Sequence, residues 1–348
     1  MKVLITGNLG YIGPTLTRHL REVKPNLYLV GLDQGYFAQC LSGPSVFPEV
    51  KLNQQWFADV RSLQPHHLEG FDAVVHLAAI SNDPMGKTFE KVTHEINCES
   101  SISIAAMAKE AGVRNFVFAS SCSVYGAGGD GAKRENDALN PLTAYAKSKI
   151  GTEDGVRNLA DDHFVVTCLR FATACGFTDR TRLDLVLNDF VAGAVSTGEI
   201  NILSDGTPWR PLIHVEDMAR AIEWALIRPA DLGGAFLAVN AGSDEWNYQI
   251  SDLAKAVQQV VPDTKITLNT KAVPDKRSYK VNFDLFRELA PDHQPRVSLK
   301  GAVEGLKNGL LNIGFNDSNF RNSEYIRLNV LSSHMENNRI DSDLNWIS

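Results

Sequence analysis

The chain has no block of basic residues, no C-x-x-C pair, no internal repeat and no low-complexity tract. It also has no apolar run near the roughly 18 residues that a membrane-spanning helix requires. Lysine and arginine number 34 against 41 aspartates and glutamates, a net charge of −7, which argues against nucleic acid or an anionic membrane surface as the main partner. The five cysteines (Cys40, Cys98, Cys122, Cys168, Cys175) are odd in number and lack metal-ligand spacing, so no metal site and a reduced, cytoplasmic protein are expected. Met1-Lys2 runs straight into Val3-Leu4-Ile5 and a glycine loop, which leaves no room for a signal peptide. What is present is a chain of 348 residues, 44% of them apolar, enough for one large core and a smaller second one.

Lys2-Val3-Leu4-Ile5 is a buried-strand pattern leading into Thr6-Gly7-Asn8-Leu9-Gly10-Tyr11-Ile12-Gly13 and then a helical pattern through Leu16, Leu20 and Val23. Strand, glycine turn and helix in this order suit a dinucleotide: the glycines let the backbone approach a pyrophosphate, which sits on the positive helix N-terminus. The next strand, Leu27 to Leu32, ends at Asp33, about twenty residues beyond the glycines, where a carboxylate accepts hydrogen bonds from the adenosine ribose. The alternative is a simple turn acid. NAD is favoured over NADP, because an extra phosphate about 4 Å from Asp33 meets a repulsion of order 4 kcal/mol at an effective dielectric near 20.

The chemical centre is read in Ser120–Lys149, with the patterns S-S-C-S-V-Y-G and Y-A-K-S-K. Tyr145 and Lys149, four residues apart on a predicted helix, share one face, where the ammonium favours the phenolate. The apolar run Asn115–Ala119 delivers Ser120 and Ser121 to a strand end facing that helix. Making a tyrosine a base near neutrality costs about 3–4 kcal/mol, which Lys149 and a cationic cofactor are placed to offset together.

Trp56-Phe57-Ala58 predicts a third strand, with Asp59 either bonding the adenine amino group or capping a helix. Asp72–Ala79 predicts a fourth, in which His76 is structural. Residues 89–112 are expected to form one long helix, whose stripe is broken by Asn97; that side chain either holds a water near the centre or bonds helix to strand. Alternating strands and helices predict the α/β class, with a right-handed, doubly wound parallel sheet. Beyond Phe171–Phe177 the chain becomes irregular. A helix is predicted over Leu183–Val195, with Asn188 on its polar side as a phosphate ligand, and Arg210 and Arg277 are the preferred diphosphate ligands. Tyr279 lies in a charged loop expected to face the nucleotide. The apolar tail from Asn319 is expected to fold over the substrate lobe or a partner subunit.

Taken together, Thr6–Gly13, Asp33, Asp59, His76–Ala79, Asn97, Ser120–Gly126, Tyr145–Lys149, Leu169–Phe171 and Arg210–Asp217 resemble the extended short-chain dehydrogenase/reductases, specifically their NAD-dependent nucleotide-sugar epimerase/dehydratase group. The resemblance implies a Rossmann-type sheet in residues 1–175 with 212–243 returning to it, and a smaller interleaved α/β substrate lobe in 176–211 and 244–348. It implies NAD held by the glycine loop (Gly7, Leu9, Gly10, Tyr11, Ile12, Gly13), by Asp33, Gln34, Asp59 and Val60, by Leu77, Ala78, Ala79 and Asn97, and by Ala119, Tyr145 and Lys149. A nucleotide-diphosphate sugar would meet Ser81, Ser123, Thr173, Asn188, Arg210, Arg277 and Tyr279. Tyr145 would be the base, Lys149 would hold the nicotinamide ribose and depress the tyrosine pKa, and Ser121 would bond the reacting oxygen. In dehydratases of the group an Asp-Glu pair follows the catalytic Ser/Thr; here Cys122-Ser123 stands instead, which favours an epimerase working through a transient keto sugar. Cys122 either exchanges a proton beside the ketone or is a packing residue. A dehydrogenase or keto-sugar reductase, a decarboxylase and a non-catalytic NAD sensor are the alternatives, and a homodimer is implied by the resemblance alone.

Overall fold

A computed structural model describes residues 1–127, 129, 131–269, 271 and 278–347. Seven parallel strands form the central sheet: β1 (Lys2–Thr6), β2 (Tyr28–Asp33), β3 (Gln54–Phe57), β4 (Ala73–His76), β5 (Asn115–Ser121), β6 (Val165–Phe171) and β7 (Phe236–Ala241), in the order 3-2-1-4-5-6-7. Alternation within β1 sends Val3 and Ile5 to one face and Leu4 to the other, so each face carries its own apolar layer. Helices Gly13–Val23 and Val215–Ile227 cover the first face. The segment 90–110 and helix Ala144–Arg157 cover the second. This is the doubly wound Rossmann-type sheet that the strand–helix alternation predicts. The order reverses between β1 and β4, and ligands of such sheets lie outside the strand C-termini at that point.

A second body is built around helices Val186–Thr197, Ile250–Val260 and Leu299–Asn312, whose buried faces share Leu187, Phe190, Leu253, Val257 and Leu306. The strand Trp209–His214 joins the two bodies, pairing parallel with Thr173–Cys175 and antiparallel with Asn247–Gln249.

Three expectations change. The helix expected from Leu183 begins at Val186, because Leu185 is extended. The single helix expected over 89–112 is a succession of shorter segments, with a π-helical turn at Glu95–Glu99 that contains Asn97. The tail divides: Phe320, Tyr325 and Ile326 pack into the core of the second body, as expected, and the remainder turns to the central sheet. Leu331, Ile340 and Leu344 enter the sheet layer formed by Leu4, Val30 and Leu32, and Val281, Phe283 and Phe286 join the opposite layer. The stretch 244–348, expected to belong to the substrate lobe, thus gives two segments to the cofactor half, where their apolar side chains fill the two faces of the sheet.

Candidate active site

A cleft of about 1260 Å³ opens at the C-terminal ends of the central strands and runs between the two bodies. At its inner edge lies the glycine turn. Gly7 has φ +74°, donates its amide to Leu32 O at 2.8 Å, and a Cβ placed on it would sit 2.5 Å from the backbone nitrogen of Ala78. A Cβ on Gly13 would lie 1.9 Å from Asn8 O. Side chains are therefore excluded from this cradle. The helix Gly13–Val23 starts with Pro14 in its first turn and no side-chain cap, which keeps its first amides available to phosphate oxygens.

Asp33 is more than a turn acid. One carboxylate oxygen accepts from Leu9 N at 3.0 Å and the other from Gly35 N at 2.7 Å, so it ties the glycine turn to the end of β2 while lining the cleft. Burial pushes its carboxyl up, and these two amides and Arg180 pull it back.

Opposite, β5 ends at Ser121 and Thr143 caps the helix Ala144–Arg157, accepting from Ala146 N at 3.1 Å. Ser121, Tyr145 and Lys149 all line the cleft, as do Ala119, Leu77, Ala78 and Ala79. Lys149 Nζ donates to Ala119 O at 2.7 Å and stands 5.5 Å from the centre of the Tyr145 ring. Burial lowers its pKa to about 7. Burial raises Tyr145 to about 12, against the pull of a hydrogen bond with Ser121; Asp83 adds to the rise and Arg182 opposes it. Ser121 also accepts from Ser123 N at 3.1 Å. The Ser123 hydroxyl is buried with no hydrogen-bond partner among the described residues, although it borders the cleft. That orphaned oxygen suits a polar group of a bound substrate.

Several expected residues are placed elsewhere. Asn97 is fully buried: it accepts from Ile80 N at 2.8 Å and donates to Ile80 O at 2.9 Å, so it pins the chain after β4 instead of facing the cleft. Asp59 caps the turn Val60–Ser62, accepts from Arg61 N at 2.8 Å and pairs with the Arg61 guanidinium at 2.6 Å; the capping alternative holds, and its oxygens are taken. Asn188 is no phosphate ligand, because its side chain accepts from Gly176 N at 3.0 Å and donates to Arg182 O at 2.8 Å in a fully buried position. Cys122 leaves the reaction centre: its Sγ donates to Arg170 O at 3.1 Å within the apolar layer, and burial drives the thiol pKa far up. Leu9 and Gly13 shape the turn without lining the cleft, whereas Gly10, Tyr11, Ile12, Gln34 and Val60 do line it. On the substrate side Ser81, Thr173, Arg210 and Tyr279 line it too. Arg277 lies outside the described residues. His76 is structural as expected, with Thr6 Oγ1 at 2.7 Å and Ser101 Oγ at 2.8 Å, and its pKa is lowered to about 3 by burial and then Lys149.

Sequence reasoning missed the buried pair behind Lys149, and it named Arg182 as a partner for a substrate carboxylate without foreseeing its pairing with Asp184. Behind Lys149, Glu153 forms a buried pair with Arg170 at 2.6 Å and accepts from Ser120; its place one turn after Lys149 was the available signal. Arg182 holds Asp184 with two bonds of 2.9 Å and donates to Ser81 Oγ at 2.9 Å, which puts a guanidinium in the cleft beside Tyr145.

A glycine cradle, an acid after the second strand and a Ser-Tyr-Lys set in one cleft define an NAD-binding enzyme of the short-chain dehydrogenase/reductase type. Residues 3–242 match the model of the NAD dependent epimerase/dehydratase family, and the chain belongs to that family, with NAD as its cofactor. An uncharacterized UDP-glucose epimerase, YtcB, of Bacillus subtilis is 28% identical over 258 residues, covering 70% of this chain and 78% of that protein. Among solved structures, the NAD-dependent NDP-hexosamine 5,6-dehydratase TunA, involved in tunicamycin biosynthesis, superposes with TM-score 0.77 at 22% identity over 91% of this chain and 99% of that one. The UDP-glucuronic acid 4-epimerase of Bacillus cereus, solved with UDP-glucuronic acid and NAD, superposes with TM-score 0.75 at 23% identity over 90% and 100%.

Proposed function

We propose that this enzyme is an epimerase of nucleotide-diphosphate sugars that works through a transient keto sugar. The observation that carries the reading is the convergence of Ser121, Tyr145 and Lys149 in the cleft that also holds the glycine cradle, with no carboxylate at positions 122 or 123. NAD held on the glycine cradle and beside Lys149 would supply the hydride acceptor for the carbinol carbon and the donor for its return. Tyr145 takes the hydroxyl proton as that hydride leaves and gives it back on the return, so the net reaction is redox-neutral. Ser121 holds the reacting oxygen at the strand end. Lys149, fixed on Ala119 O, supplies positive charge and donors for the nicotinamide ribose. Arg182, Arg210 and the Ser123 hydroxyl hold the sugar and its diphosphate. Inversion requires the keto sugar to present its other face before the hydride returns.

Elimination of water needs an acid and a base beside the ketone, which Cys122 and Ser123 do not provide. The names of the relatives favour a uridine nucleotide. The five buried free cysteines fit a reducing cytoplasm, and among the described residues no helix is long and apolar enough to cross a membrane. A homodimer through the 90–110 and Ala144–Arg157 helices rests on the family resemblance.

The test uses purified protein and a panel of nucleotide sugars. NAD released on denaturation, with inversion of one sugar and no added cofactor, supports the reading. Turnover that requires stoichiometric NAD or NADH and shows an absorbance change at the nicotinamide band overturns it in favour of a dehydrogenase or reductase.

A further inference from the structure

The tail meets two loops at once. On one side Gln34, Tyr36 and Phe37 line the cleft just beyond Asp33. Behind them, Leu344 O accepts from both the Tyr36 hydroxyl and Gln34 Nε2, and Trp346 Nε1 donates to Gln34 O at 2.8 Å. The Trp346 ring lies 5.6 Å from that of Tyr36 and 5.1 Å from that of His334, whose Nε2 stands 2.9 Å from Tyr36 O. On the other side Ala58 and Val60 line the cleft, with Asp59 between them held by Arg61. The same guanidinium donates to Asp343 O at 2.7 Å and to Asn345 Oδ1 at 2.9 Å. The segment that makes these contacts is a small hairpin, closed by a bridge between Ile340 and Trp346 and by Asp341, which accepts from the amides of Asp343 at 2.9 Å and Asn345 at 2.8 Å.

Its turn is strained. Leu344 has φ +58°, a region that residues other than glycine rarely adopt, yet its side chain is fully buried. The conformation aims its carbonyl at Tyr36 and Gln34 while the isobutyl group fills the layer under β2.

We propose that the hairpin 340–346 is a positioning clamp for the adenosine end of NAD: it fixes the 34–37 and 58–61 walls against each other and slows release of the cofactor. The proposal rests on the redox-neutral reading, in which NAD stays with the enzyme between turnovers. It adds that retention is set by residues at the far end of the sequence from the glycine turn, which touch the walls and not the ligand.

The test is a label chase on the full chain. Protein loaded with isotope-labelled NAD is mixed with excess unlabelled NAD, desalted at intervals and assayed for remaining label. Trp346→Ala and Arg61→Ala are each expected to release label about tenfold faster, the factor that loss of one net hydrogen bond and its packing corresponds to. A chain ending at Asn338 is expected to release it faster still. Because that truncation removes buried side chains and can fail to fold, Trp346→Phe, which keeps a six-membered aromatic ring and loses the pyrrole ring with its N–H donor, provides the fourth measurement, with circular dichroism as the control. Release rates within twofold of the parent in the folded point variants overturn the clamp. So does a parent that exchanges its label as fast as the variants. Sugar inversion without added NAD is measured on the same parent preparation, so a failed clamp and a failed epimerase reading give different results.

Discussion

Lys149 and Ala119 meet at 2.7 Å, ammonium to carbonyl, and this single bond fixes how the proposed catalytic set is divided. With Nζ held at the strand end and over the Phe118 ring at 4.6 Å, the lysine presents its charge to the ring of Tyr145 and to the neighbouring cofactor region, while the phenol oxygen is bonded by Ser121. The family resemblance implies that Lys149 depresses the tyrosine. In the protein alone, the groups that pull Tyr145 down are Ser121 and Arg182, and burial outweighs both.

Tyr145→Phe removes the proposed proton acceptor and leaves the ring. It is expected to lower kcat by about 10²–10⁴ while labelled NAD remains bound. A steady-state assay with a product-sugar readout, alongside NAD content, checks both halves; unchanged kcat refutes the assignment of the base.

The shift of Lys149 gives a pH dependence of stability with a definite sign. Its folded pKa of about 7 lies below the unfolded value, so between about pH 7 and pH 10 the unfolded chain binds the extra proton and stability rises with pH. Tyr145 acts in the opposite sense above pH 10: the folded state keeps its proton up to about pH 12, and stability falls as the unfolded phenol ionises. Urea unfolding of cofactor-free protein from pH 6.5 to 9.5 is expected to show a gain that Lys149→Met abolishes. A difference between parent and variant that stays flat over this range contradicts the burial argument.

Asp33→Ala is expected to weaken NAD and to narrow its preference over NADP, since the carboxylate that repels a 2′-phosphate is gone. The same change strips Leu9 N and Gly35 N of their acceptor, at a cost of roughly 1 kcal/mol each. Titrations with both cofactors therefore show a loss for NAD that exceeds any gain for NADP, and Asp33→Asn, which retains an acceptor oxygen, recovers part of it.

The parts of the molecule legible in the sequence are those in which spacing alone dictates a neighbour. Val3, Leu4 and Ile5 must alternate across a sheet, Gly7 must turn where no Cβ fits, and Tyr145 must share a face with Lys149. Polar residues on helices were harder, because a spare amide reads equally well as a ligand or as a brace. Asn188 braces Gly176, and Asn97, exposed to Ile80 by a π-helical turn that no periodicity announces, braces the chain after β4. The tail shows the same limit for apolar residues: Leu331, Ile340 and Leu344 announce burial, but nothing in their pattern says against which layer.

Cys122 closes the comparison with the dehydratase branch. Its thiol points to Arg170 O inside the apolar layer, with 1% of the residue exposed, so a thiolate there has neither solvent nor a path to a sugar carbon. Cys122→Ala is expected to cost about 1–2 kcal/mol of stability for the lost sulfur contacts and to leave kcat within about threefold of the parent. Denaturation curves and steady-state assays provide the two numbers. Reaction in deuterated water adds a third: inversion by hydride return places no solvent deuterium on carbon, whereas deuterium uptake that disappears in Cys122→Ala restores the thiol to the mechanism.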